Sequence, residues 1–206
     1  MNLDEADRLL EPGYLSMESG YVRLPDGQLH VAARTSMPGC SSAMIDWWFG
    51  YVRTTEQYKR WHPTDHVWCD WDGPSGEYVG GTHLVHEYIG GQMNELRINF
   101  RPADDYLDTS RFAEADVGTA VCARTGPLGS DLWVGHLIHL VRDTEYGCEM
   151  RSRFWLGDFE PEIAPTPQQR QEIIPDQVGW GLLKHCNEEM GYLAELLPDL
   201  YRREAG

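Results

Sequence analysis

Apolar and polar positions alternate or recur along most of this chain. YVRLPDGQLHVAART (21–35) reads as a hairpin turning at Asp26-Gly27, a standard tight-turn dipeptide. Pro38-Gly39 interrupts it, and Ser41-Ser42 offers a cap for the next element. Met44, Trp47, Trp48, Tyr51 and Val52 recur at helical spacing, which predicts one amphipathic helix over about 43–59. Strand patterns then come in series at 66–72, 82–91, 95–100, 118–125, 132–143 and 146–157. Residues 108–115 read as loop or short helix, and Pro161, Pro165 and Pro167 as a rigid connector. The 3.6-residue period returns over about 178–202 as one long helix. Residues 1–20 read as a loose leader before a single domain, 21–206. Hairpin, helix, meander and terminal helix together predict an α+β fold of helix-grip (START-like) type. In it a curved antiparallel sheet wraps a C-terminal helix and can leave a ligand cavity between them.

Size and charge narrow the function. At 206 residues the chain suits one domain with a substantial core. A net charge of −16 and a pI near 4.7 set it against phosphate backbones and anionic lipid, so neither nucleic acid nor membrane is expected as a partner. The start, MNLDEADRLLEPG, lacks the basic and apolar regions of a secretory signal. Five cysteines, an odd number with no CxxC pair, argue against a disulfide framework and a thiolate metal site. Both observations predict a cytoplasmic protein. Eight tryptophans point to an aromatic-lined interior or plain packing.

Candidate chemistry begins in the last helix. At about 100° per residue, Leu182, Cys186, Met190, Leu193, Leu196 and Leu197 gather on one face. His185 and Glu189 fall on that face or its edge, whereas Asn187 and Glu188 fall off it. A carboxylate in an apolar stripe needs a partner. Two ligands at i,i+4 can meet one metal ion. Equally, the pair can hydrogen-bond to each other, or Glu189 can meet a sheet arginine such as Arg97, Arg151 or Arg153. Further ligands must then come from the sheet. Alternation sets His83, Val85, Glu87 and Ile89 on one strand face, favouring Glu87 as inward, with His86 the competitor if the register slips by one. In YKRWHPTDH, His66 opens a strand and is preferred over His62, which precedes Pro63 in a turn. His136 and His139 occupy opposite strand faces, so at most one reaches a cavity. Glu149, Arg151 and Arg153 share a face, either as a solvated ladder or as charged support behind the site.

YKRWHPTDH, GTHLVHEYIGG, HLIHLVRDTEYGCEMRSRFWLGD and GLLKHCNEEMGYL resemble, in order, segments of the 2,4-diacetylphloroglucinol hydrolase family, which includes phloretin hydrolase. The resemblance runs from about Tyr51 to the C-terminus. It implies the helix-grip fold, one Zn2+ bound by His66, Glu87, His185 and Glu189, and hydrolysis of the carbon–carbon bond between an acyl group and a polyphenolic ring. Mixed His/carboxylate ligation also suits iron or manganese, and the resemblance favours zinc. It further implies Tyr58 as a hydrogen-bond partner for substrate oxygens, with Tyr146 as a second. Tyr58, His62 or Glu189 would move the proton, and Trp47, Trp48, Trp68 and Trp155 are candidates to wall the ring. The expected partner is a small phenolic ketone, with a homodimer possible. The competing readings are a non-catalytic START-like binding protein and a metal-independent polyketide cyclase.

Overall fold

In the computed structural model, which describes residues 1–74 and 76–205, the strand patterns become one antiparallel sheet. Its strands are β1 (Gly20–Arg23), β2 (Leu29–Pro38), β3 (His66–Asp72), β4 (Thr82–Ile89), β5 (Gln92–Arg101), β6 (Val117–Pro127), β7 (Gly135–Thr144) and β8 (Gly147–Leu156). They run β1-β2-β8-β7-β6-β5-β4-β3 across the sheet. The hairpin predicted at Asp26-Gly27 is β1–β2, and β2 then pairs along its whole length with β8.

The predicted helix over 43–59 is two helices, α1 (Ser42–Tyr51) and α2 (Thr55–Trp61). The break has a local cause that apolar spacing hides. Thr54 accepts a hydrogen bond from the Gln57 amide while the Gln57 side chain reaches back to the Thr54 amide, a reciprocal cap that starts a new helix. Likewise the proline-rich connector contains a short helix, α3 (Pro167–Ile173), capped by Thr166 in the same way. The long helix α4 (Asp176–Glu204) spans about 43 Å at 1.5 Å per residue. Pro198 lies inside it and cannot donate to the Ala194 carbonyl; the Cys40 thiol bonds that carbonyl instead, at 3.6 Å.

One sheet face packs on α1, α2 and α4. Leu182, Cys186, Met190, Leu193 and Leu197 are all buried there, as their helical spacing predicts. This gives the α+β helix-grip architecture: an eight-stranded antiparallel sheet holding a long C-terminal helix. The opposite face corrects two expectations. Residues 1–20 are not loose: a 3-10 helix, Leu3–Leu10, buries Ala6, Leu9 and Leu10 against Leu24, Ile138, Leu140 and Trp155. Nor are Glu149, Arg151 and Arg153 a solvated ladder. Both arginines are wholly buried, and each reaches a different oxygen of Glu18 at 2.6 Å. Their charges are tolerable inside because the leader supplies the matching carboxylate.

Candidate metal centre

The site forms where α4 crosses the β3–β4 edge. Gly181 brings the helix there by allowing backbone contact: a Cβ at this position would lie 2.8 Å from Gly90 Cα, in the β4–β5 turn. His185 comes one turn later and Glu189 one turn after that. Both face inward, as the helical spacing predicts.

On β4, His83, Val85 and Glu87 are buried, whereas His86 faces the other way and packs on Trp68 at 4.6 Å between ring centroids. The alternation thus decides for Glu87 as the inward residue. β3 is less regular. Cys69 pairs with Val85 and Trp68 with His86, so strict alternation would turn His66 outward with Trp68. A bulge between His66 and Trp68 adds a residue and turns His66 inward, opposite Glu87. Upstream, α2 presents Tyr58 to the same point and ends at His62, which the adjoining Pro63 holds in an extended conformation.

Four side chains therefore converge. His66 Nε2 lies 3.5 Å from Glu189 Oε1 and 3.8 Å from Glu87 Oε2; His185 Nε2 lies 4.0 Å from Glu87 Oε2. Hydrogen bonding to the other ring nitrogens sets the tautomers. His66 Nδ1 faces the Tyr58 carbonyl oxygen at 2.9 Å, and a carbonyl can only accept, so Nδ1 carries the proton and Nε2 keeps its lone pair. That Nε2 is buried with no hydrogen-bond partner. His185 Nδ1 donates to Asp65 Oδ2 at 3.2 Å, which likewise leaves the Nε2 lone pair facing Glu87. An imidazole oriented by a carbonyl or carboxylate behind it is the arrangement found around metal ions.

His62 differs. Its Nδ1 accepts from the Asp65 amide at 3.1 Å, so a neutral His62 carries its proton on Nε2 and has no inward lone pair to offer. It stacks on His185, 5.0 Å away and nearly parallel, with Nε2 3.6 Å from Asp65 Oδ2 and 3.7 Å from Glu188 Oε2. Although His62, Asp65 and His185 also cluster, the tautomers favour the His66, His185, Glu189 group.

The electrostatics suit a cation. Burial, and after it the nearby Glu87, push Glu189 up to about 8 against the opposing pull of His185. Burial holds His66 well below the usual imidazole range. Burial also pulls His185 down, but Glu189, Glu87 and Asp65 outweigh it and raise its pKa. Two carboxylates and two imidazole lone pairs in a desolvated pocket form a donor set that fits one divalent ion. Tyr58 Oη donates to Glu87 Oε2, and the Tyr58 ring stacks on His66 at 3.7 Å.

Beside this cluster opens a cavity of about 470 Å³, within the range of small-molecule sites. Tyr58, Glu87, His185 and Glu189 reach it; Phe49, Trp61, Leu96, Phe100 and Phe154 supply much of its wall. The tryptophan on the wall is Trp61, which its sequence pattern does not distinguish. The expected ones lie elsewhere. Trp68 is on the outer face against His86, Trp48 and Trp155 are fully buried in the two cores, and Trp47 packs on Tyr51 and Tyr201. Tyr146 sits in the β7–β8 turn, 51% exposed, and does not line the cavity, nor does His62. Of the β7 histidines, His139 faces the cavity. His136 faces the opposite side, between Tyr106 and Asp158. Asp65, which orients His185, lies in a turn where no periodicity marks it.

The family model described as the DAPG hydrolase PhiG domain matches residues 1–202. A 2,4-diacetylphloroglucinol hydrolase of Pseudomonas protegens is 31% identical over 225 residues, covering 98% of this chain and 73% of that protein. A phloretin hydrolase of Eubacterium ramulus is 31% identical over 201 residues, covering 90% of this chain and 72% of that protein.

Proposed function

The chain belongs to the DAPG hydrolase family, and on that premise we propose that it hydrolyses the carbon–carbon bond joining an acyl group to a polyhydroxylated aromatic ring, with one Zn2+ held by His66, Glu87, His185 and Glu189. The observation that carries this reading is the pair of imidazoles, His66 and His185. Each is locked by a bond at Nδ1 and aims a free Nε2 at the carboxylates of Glu87 and Glu189.

A divalent ion bound there would supply Lewis acidity toward the ketone oxygen and make a water molecule acidic near neutral pH. The residues around it do the rest. The apolar wall of Phe49, Phe100 and Phe154 seats the aryl ring and keeps bulk water from it. Glu189, at the cavity edge, accepts the proton of the attacking water. Tyr58 stays protonated, since burial and the neighbouring Glu87 raise its pKa well above the usual phenol value. With that proton donated to Glu87, its oxygen is placed to accept a hydrogen bond from a substrate hydroxyl beside Glu87. Water adds to the acyl carbon, the bond to the ring breaks, and the ring carbon takes a proton: ketone plus water gives a carboxylic acid and the free phenol. A ring carbanion would be too basic to leave. A polyhydroxylated ring avoids it by leaving from its keto tautomer as an enolate, which is why the hydroxyls matter.

Elemental mass analysis of untagged protein purified without chelator tests the centre, and turnover of acylphloroglucinols and phloretin tests the reaction. One zinc per chain is expected, together with loss of both metal and activity in His185→Ala and Glu189→Ala. Full activity in a metal-free Glu189→Ala variant would sink the proposal. A wild-type protein that cannot be loaded with metal would point to a binding module or a metal-independent cyclase.

A further inference from the structure

Among the polar side chains of the cavity that this hydrolysis leaves without a task is a buried histidine with no partner for its ring Nε2. His83 lies on the inward face of β4, four residues before Glu87. It is 3% exposed, borders the cavity, and its Nε2 is buried without a hydrogen-bond partner. His139, the other cavity histidine outside the metal cluster, is by contrast satisfied through Nδ1 by Ser152 Oγ at 2.8 Å. A buried polar atom left unpaired in a folded protein calls for an explanation, and a ligand group is one.

The His83 ring is also held in place. It stacks on Trp71 at 4.5 Å and 16°, and the Arg53 guanidinium lies over the Trp71 ring at 4.0 Å. Trp71 Nε1 in turn donates to the Val52 carbonyl at 2.8 Å, and Arg53 donates to the carbonyls of Gly50 and Glu77. Such a stack fixes the imidazole before any ligand arrives. Burial, and after it the Arg53 charge, lower its pKa to about 3, so the ring is neutral across the working pH range. A neutral imidazole both donates and accepts, as a phenol hydroxyl does.

Tyr58 links His83 to the metal cluster: its hydroxyl meets Glu87 while its ring meets His83 edge-on at 5.2 Å, so His83 borders the same part of the cavity as the cluster. A substrate ring lying alongside Tyr58, with its acyl carbon at the cluster, would turn its far hydroxyl toward His83. From this geometry we propose that His83 recognises the ring hydroxyl para to the acyl group, selecting trihydroxylated over dihydroxylated acylbenzenes. The inference rests on the hydrolase reading for the orientation of the substrate.

The test is calorimetric binding of 2,4,6-trihydroxybenzoate and 2,6-dihydroxybenzoate; the carboxylate stands in for the acyl group without being a cleavable ketone, and the second compound lacks only the para hydroxyl. Wild-type protein is expected to favour the trihydroxy compound by about tenfold, the equivalent of one net hydrogen bond. His83→Phe should lose the preference by weakening the trihydroxy compound alone, with an unchanged melting temperature. His83→Gln, which keeps a donor and an acceptor, should retain most of it. No preference in the wild type, or an equal preference in wild type and His83→Phe, overturns the proposal. Turnover of the matching trihydroxylated ketone is read separately. If that ketone is not cleaved while the binding preference holds, the hydrolase reading falls and the role of His83 in reading the ring stands.

Discussion

Asp65→Ala removes the carboxylate behind His185 and leaves the turn's backbone hydrogen bonds in place. The Asp65 amide still donates to His62 Nδ1 at 3.1 Å, and its carbonyl still accepts from the Tyr88 amide at 2.9 Å, so the backbone keeps its anchors. What disappears is the 3.2 Å bond from His185 Nδ1 to Oδ2, together with the looser 3.6 Å contact of that oxygen with His62 Nε2. The Asp65 side chain is 20% exposed and His185 can rehydrate, so the metal-free fold should lose no more than about 1 kcal/mol. Metal binding should suffer more. The imidazole is then free to rotate or to move its proton to Nε2, and loss of such a supporting group typically costs about 10- to 100-fold in affinity, roughly 1.4–2.7 kcal/mol. Competition against a chelator of known zinc affinity measures this directly, with thermal melts of the metal-free proteins as the control. Asp65→Asn, which keeps an acceptor oxygen, should fall between wild type and Asp65→Ala. A well-folded Asp65→Ala protein with wild-type zinc affinity would refute the orienting role and weaken the assignment of His185 as a ligand.

The same geometry sets three further outcomes. Helix propensity alone would have Gly181→Ala stabilise α4 by about 1 kcal/mol, but a Cβ there meets Gly90 backbone at 2.8 Å. The clash wins: a loss of about 1–3 kcal/mol by urea titration is expected, along with weaker metal binding as the displaced helix carries His185 away. Burial would raise Glu18, but hydrogen bonds from Arg151 and Arg153 prevail and hold it at about 2, down from 4.5. A lowered carboxylate contributes stability above its unfolded value and loses it as pH falls from about 4.5 toward 2, here at most about 3 kcal/mol. Glu18→Ala should therefore flatten the acid limb of the stability curve and cost about 3 kcal/mol at neutral pH by leaving two buried guanidiniums short of a partner. Trp68→Ala should leave kcat/KM for an acylphloroglucinol unchanged, since Trp68 faces away from the cavity, whereas Trp61→Phe should raise KM; the reverse result would place the ring elsewhere.

The elements that the sequence made legible are those whose geometry is periodic. A residue's side on a helix or strand is set by backbone angles that repeat, so spacing alone put His185 and Glu189 among the buried leucines and turned Glu87 inward with Val85. It also put His136 and His139 on opposite faces. Where the backbone departs from its period, the same reasoning stops. His66 is inward only because a bulge shifts the count by one, and the split between α1 and α2 depends on a cap rather than on apolar spacing. Contacts between distant segments are less legible still. Arg151 and Arg153 look solvated beside their neighbours, and are buried because Glu18, more than 130 residues earlier, lies over them. Trp61 rather than Trp68 walls the cavity because α2 packs on that side of the sheet. Asp65 and His83 acquire meaning from what lies opposite: an imidazole for one, an open cavity for the other. Periodicity is a property of the local chain and survives in its residues; the partner of a buried charge or of a lone ring nitrogen is chosen only when the sheet closes on its helix.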